Sequence, residues 1–234
     1  MGAFAIPVHL IFDLLAALSA GLMTWAVWAW RLSDLPRNPL QPGNEGYFAA
    51  LTAGILIGSY ALGTGNLWLS GIPALGRSIE GALAGGILAV EIYKARHGIR
   101  GSTGLLFVPT FSTLVVVGRI GCALAGLDDQ TYGLPTALPW GHDFGDGIPR
   151  HPVAIYESLA MAGFLAASLV AFARRSRFFL AHGFHLMVAF YAAQRFVWEF
   201  FKPYAALLGP LNLFHLTSLG LFAYAAVMLS RRPK

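Results

Sequence analysis

Apolar residues in this chain gather into long runs broken by short polar stretches, with little strand-like alternation. A run of about 20 apolar residues is what a helix needs to cross a hydrocarbon layer. The pattern predicts seven spans, at roughly 4–30, 46–69, 80–95, 104–127, 152–173, 178–201 and 206–229. Gly54, Gly58 and Gly63 break up the second of these, and Glu80 and Glu91 lie in the third. The loops are too short to hold another fold. The expectation is one all-α polytopic membrane domain over 1–234, with an ordered outer loop at 128–151.

Composition agrees: 56% of the residues are hydrophobic and only 12% charged. Charge then sets orientation, because inner loops retain Lys and Arg. With the N-terminus outside and the C-terminus cytoplasmic, the inner side holds Arg31, Arg37, Lys94, Arg96, Arg100, Arg174, Arg175, Arg177, Arg231, Arg232 and Lys234. The outer side keeps only Arg77, Arg150 and Lys202. The net charge of +5 is thus a product of topology, and no nucleic-acid partner is expected. No Lys or Arg precedes the first span, so a signal peptide's basic start is missing. The lone Cys122 excludes an intrachain disulfide.

Two arginines fall inside the spans, Arg119 in Val117-Gly118-Arg119-Ile120-Gly121 and Arg195 in Gln194-Arg195-Phe196-Val197-Trp198. A guanidinium keeps its charge, so a membrane helix carrying one must supply an anion or a wet cavity. In the orientation above Arg119 lies about 12 Å below the outer end of its span, at 1.5 Å per residue. Glu80 opens span three on the outer side, Glu157 lies near the outer start of span five, and Arg195 and Glu199 end span six there. Independent spans that place ionisable groups at one depth point to a site, and phosphate is the expected anion. Simpler pairings stay open: Arg195 with Glu199 four residues on, Glu157 as an interfacial carboxylate beside Tyr156, Glu91 with Lys94 or Arg96, and His9 with Asp13. His182 and His185 read as polar groups at a helix interface. Gly81 and Gly85, like Gly54 and Gly58, permit close helix packing.

The 128–151 loop is rich in turn formers, and its aromatics Tyr132, Trp140 and Phe144 favour an ordered segment at headgroup level. Asp128, Asp129, Asp143, Asp146, His142 and His151 are hard-cation ligand types, but no EF-hand spacing joins them, and no metal or cofactor is expected. Asp143-Phe144-Gly145 matches a kinase triplet by chance, since no nucleotide-binding lobe accompanies it.

Gly118-Arg119-Ile120-Gly121, Tyr132-Gly133-Leu134-Pro135-Thr136, Arg150-His151-Pro152 with Tyr156-Glu157, and Arg195-Phe196-Val197-Trp198-Glu199-Phe200-Phe201-Lys202-Pro203 occur in that order. In these segments the chain resembles the prolipoprotein diacylglyceryl transferase family, from about Arg77 onward. The resemblance implies a multi-pass enzyme of the bacterial plasma membrane. Such an enzyme moves diacylglyceryl from phosphatidylglycerol to the lipobox cysteine of a prolipoprotein, releasing glycerol phosphate. It implies that Arg119 and Arg195 contact the lipid phosphate, and Asp128, Asp129, Tyr132, Gly133, Arg150, Glu157 and Glu199 are the further candidates for substrate binding. The chain departs from the pattern at Ile79-Glu80-Gly81-Ala82, where the family has His-Gly-Gly. It departs again at Cys122 for an asparagine, at Asp128-Asp129, and at Phe12 beside Asp13 for a tyrosine.

Glu80 or His151 is the expected base for an acceptor thiol, since that proton needs a carboxylate or imidazole within reach. Two other functions fit the same residues: a transferase on this scaffold with a different acceptor, and a non-catalytic phospholipid-binding protein. Transport would need a continuous polar path, and the inner half offers only Glu91, His182 and His185.

Overall fold

The computed structural model describes residues 8–34 and 45–231, apart from the side chains of Asp128 and Asp129. Residues 4–7 of the first expected span, and Arg37, Arg232 and Lys234, lie outside the described residues. Within them run seven α-helices: α1 (Val8–Val27), α2 (Glu45–Leu69), α3 (Ile79–Arg96), α4 (Phe107–Ala125), α5 (Val153–Ala173), α6 (Arg177–Glu199) and α7 (Leu213–Ser230). A π-helical turn, Trp28–Leu32, extends α1. Two short antiparallel strands, β1 (His142–Asp143) and β2 (Pro149–Arg150), form a hairpin.

The segments Val8–Leu32, Glu45–Leu69, Phe107–Ala125, Val153–Ala173 and Leu213–Ser230 are long and apolar enough to cross a membrane. Of the other two helices, α3 carries Glu80, Glu91, Lys94 and Arg96, and α6 is diluted by His182, His185, Gln194 and Arg195. The seventh helix begins at Leu213, later than the expected 206. Gly209, at φ +56°, turns the chain first, and Asn212 caps the helix through reciprocal bonds with His215.

The described residues form two compact units, one of 8–34 and 104–203, the other of 45–103 and 204–231. In the first, α1 lies antiparallel on α4. Phe12 covers Gly121, where a Cβ would stand 2.9 Å from its Cγ, and Thr24 hydrogen-bonds Thr110 at 2.6 Å. The Ser158 hydroxyl donates to the Val116 carbonyl and ties α5 to α4. Phe111 on Tyr191, Phe164 on Phe190 and Phe172 on Phe179 fill the contacts with α6.

The second unit is built on a glycine seam between antiparallel α2 and α3. Gly54 faces Gly85, and Gly58 faces Gly81. A Cβ on Gly58 would stand 2.8 Å from the Gly85 Cα, and one on Gly81 2.7 Å from the Leu62 Cβ. Only glycine lets two backbones approach this closely. On α7, the Ser218 hydroxyl donates to Glu80 and the Tyr224 hydroxyl to Glu91, which also pairs with Lys94 at 2.9 Å.

Candidate anion-binding site

Five charged side chains meet in the first unit. Arg119 projects from α4 between Gly118 and Gly121, and Glu157 from the first turns of α5. Arg195 and Glu199 occupy one face of the end of α6. Beyond Glu199 the chain winds on: Phe201 N–H donates to the Trp198 carbonyl and Lys202 N–H to that of Glu199. That extra turn brings Lys202 back over the helix end.

Glu157 is the hub. Its Oε2 lies 2.5 Å from Arg119 Nε, and its Oε1 lies 2.5 Å from Arg195 Nη1 and 2.7 Å from Lys202 Nζ. Arg195 also reaches Glu199 at 3.0 Å, and Lys202 approaches the same carboxylate at 3.9 Å. All five are buried, with Glu157 at 0%, Arg119 at 8% and Lys202 at 5% exposure. Three cations held at such range repel one another, and a shared carboxylate is what permits them to converge.

Three basic side chains meet two carboxylates in this cluster, and burial together with the nearby Arg195 charge pushes the Lys202 ammonium below its ordinary value. Arg119 also has donor capacity to spare. Its Nη1 meets only the Cys122 sulfur, at 3.9 Å, and its Nη2 has no hydrogen-bond partner among the described residues. A guanidinium carries five N–H donors in a planar fork that fits phosphate. The arrangement can therefore take up one more anion.

Beside this cluster lies the hairpin. Leu134 N–H donates to the Phe201 carbonyl at 2.7 Å, and His151 N–H donates to the Leu134 carbonyl at 3.0 Å. Gly133 is required by closeness, since a Cβ there would stand 2.7 Å from the His151 Cβ. The His151 ring packs on Phe201, the residue before Lys202, with centroids 4.8 Å apart. Arg150 lies over the Tyr132 ring and gives Nε and Nη2 to one oxygen of Asp146, at 3.2 and 2.6 Å. The Arg150 guanidinium holds the Asp146 carboxyl below the ordinary aspartate value of 3.8. Asp143, first of the chance triplet, accepts from Gly145 and Gly147 N–H and shapes the turn.

Glu80 belongs to the second unit. It is fully buried near the start of α3, after the Ser78 cap, and accepts the Ser218 hydroxyl at 2.7 Å. The structure thus groups Arg119, Glu157, Arg195 and Glu199, and sets Arg150 in the hairpin with Tyr132, Gly133 and His151 in the segments that flank it. Asp128 and Asp129 stand in a short 3-10 turn, and their side chains lie outside the described residues. Arg195 shares two carboxylates, so its pairing with Glu199 is only part of its bonding. Lys202 was read from the sequence as a loop charge. The available signal was its spacing, three residues after Glu199 and seven after Arg195, which continues the same helical face.

These features define an all-helical protein with five segments long and apolar enough to cross a membrane and a buried cluster of three basic and two acidic side chains. The chain belongs to the prolipoprotein diacylglyceryl transferase family, whose model matches residues 47–231. It is 36% identical to a phosphatidylglycerol–prolipoprotein diacylglyceryl transferase of Geobacter sulfurreducens over 170 residues, covering 67% of this chain and 63% of that one. Proteins of the same name from Nitratidesulfovibrio vulgaris (32% over 161 residues, 66% and 58% covered) and Clostridioides difficile (30% over 168 residues, 68% and 63%) are also similar. The chain spans between 38% and 63% of the length of these and similar curated relatives. No solved structure matches it.

Proposed function

We propose that this protein transfers diacylglyceryl from phosphatidylglycerol to the lipobox cysteine of prolipoproteins in the bacterial plasma membrane. In this reading it is one polytopic domain that crosses seven times, with the N-terminus outside and the C-terminus cytoplasmic. The supporting observation is the convergence of Arg119, Arg195 and Lys202 on Glu157, with Arg119 Nη1 turned to no more than the Cys122 sulfur.

In the reaction, the thiolate sulfur bonds to the terminal glyceryl carbon. The C–O bond to phosphate breaks, and its electron pair passes to the phosphate oxygen. Negative charge grows on the departing glycerol phosphate, and fixed guanidiniums in a dry setting stabilise it without reorganising. Glu157 and Glu199 hold these cations in place. Tyr132, Gly133, Arg150, Asp128 and Asp129 are assigned to the substrate side. The thiol proton goes to Glu80 or His151.

The test is expression of this protein in cells depleted of their own transferase, together with a tagged prolipoprotein. Mass analysis of the N-terminal cysteine should find the added diacylglyceryl group. An unmodified cysteine with intact membrane insertion would refute the acceptor assignment. A diacylglyceryl group found on another molecule would name the alternative acceptor.

A further inference from the structure

Beside the hairpin a hydrogen-bonded chain joins Trp140, Tyr156 of α5 and His151. Trp140 Nε1–H donates to the Tyr156 hydroxyl oxygen at 2.9 Å, and that oxygen lies 3.4 Å from His151 Nδ1. An indole nitrogen is only ever a donor, so Trp140 fills an acceptor position on Tyr156. The Tyr156 hydrogen then needs an acceptor of its own. Among the described residues His151 Nδ1 is its one such neighbour. Among these three groups, the arrangement that leaves no donor without an acceptor has the Tyr156 hydroxyl donating to Nδ1 and the imidazole proton on Nε2.

That choice of tautomer decides what the ring can do. With hydrogen on Nε2, a neutral imidazole presents a donor at its outer nitrogen and has no base there. The ring is also held in place. It packs on Phe201, its backbone bonds Leu134, and the missing Cβ of Gly133 makes room for it. The two rings it meets, Tyr156 and Phe201, directly precede Glu157 and Lys202 of the charged cluster.

We propose that His151 is a hydrogen-bond donor to the substrate phosphate through Nε2–H, and that Trp140 and Tyr156 are positioning residues that fix its tautomer. This rests on the proposed function, since the phosphate is that of the donor lipid. His151 keeps its proton through the reaction: it steadies the oxygen that receives the C–O electron pair and is not the group that takes the thiol proton.

The test is nitrogen NMR of the full chain, with histidine labelled at both ring nitrogens, in nanodiscs. His151 is assigned among the seven histidines by difference from His151→Gln. In phosphatidylcholine discs, Nε2 should be protonated and Nδ1 bare. Tyr156→Phe should lower the Nε2–H to Nδ1–H ratio about threefold or more, the scale of one hydrogen bond. Trp140→Phe should lower it less. Changing to phosphatidylglycerol discs should move the Nε2 resonance of the wild type. An Nδ1-protonated ring in the wild type, neutral or cationic, would overturn the wiring. An Nε2 resonance indifferent to phosphatidylglycerol would overturn the phosphate contact. In turnover, Tyr156→Phe should lower kcat about tenfold with an unchanged KM for the acceptor, and equal kcat would remove the relay from catalysis. If the wild type transfers no lipid yet has the expected tautomer, the proposed function fails and the wiring stands. If it transfers lipid with Nδ1 protonated, the reverse holds.

Discussion

At the scale of the residue, the decisive groups are those whose charge has nowhere else to go. Arg119 and Arg195 keep theirs in any setting, so their neighbours had to be anions. The geometry of those contacts makes the arginines hard to replace. Lysine supplies a point charge in place of a planar fork. Arg119→Lys and Arg195→Lys should insert into the membrane normally and lose about a hundredfold or more in turnover, an electrostatic loss of order 3 kcal/mol. Turnover near the wild-type rate in either variant would remove phosphate clamping from the mechanism. Glu80 is tested separately. Its carboxylate, buried and bonded to Ser218, is the proposed base. Glu80→Gln keeps the size and hydrogen bonding but accepts no proton. It should bind phosphatidylglycerol as the wild type does and lose turnover, with Glu80→His partly restoring it. Full activity in Glu80→Gln would place the base elsewhere. Both arginines were legible in the sequence because each broke an apolar run. Lys202 was not: a lysine beyond the end of a span reads as a loop charge until the continuing helical turn is seen.

At the scale of the element, two features carry predictions. The glycine seam of α2 and α3 depends on bare backbone at the crossing, whereas Gly220 in α7 has no atom within 4 Å of where its Cβ would lie. Gly58→Ala should therefore destabilise the protein by about 1–3 kcal/mol through overpacking. Gly220→Ala should be neutral or gain up to about 1 kcal/mol in helix propensity. Thermal unfolding of the two variants in detergent measures the contrast, and equal midpoints would contradict the seam. The hairpin supplies the other. Asp146 is held below 3.8 by Arg150, so its folded value is depressed. The stabilisation it gives is fully present above that value and is lost as pH falls through the folded one. Amide protection around residues 143–150, taken relative to the intrinsic exchange rate at each pH, should fall under strong acid and stay level through neutral pH. Asp146→Asn should show the lowered protection across the range. A loss of protection near neutral pH would assign the hairpin's stability to another group.

At the scale of the whole molecule, orientation is the property most open to direct test. In a Cys122→Ala background, Gly147→Cys should react with an impermeant maleimide in intact spheroplasts, and Gly98→Cys only after permeabilisation. The opposite result would invert the proposed topology. By itself, the sequence determined the all-helical class, the helix positions to within a few residues except for the start of α7, and the family. Each of these follows from local signals: apolar run length, the glycines that stop or thin a helix, and ordered motifs. The late start of α7 was hidden because the run from 206 is apolar throughout, and only the turn at Gly209 and the Asn212 cap delay the helix. Tertiary structure alone decided that Glu157 binds three cations, that Lys202 turns inward to be one of them, and that Ser218 holds Glu80. A charge in a sequence declares its sign and its approximate depth. Its partner depends on which helix faces face each other, and that is fixed by packing between segments far apart in the chain.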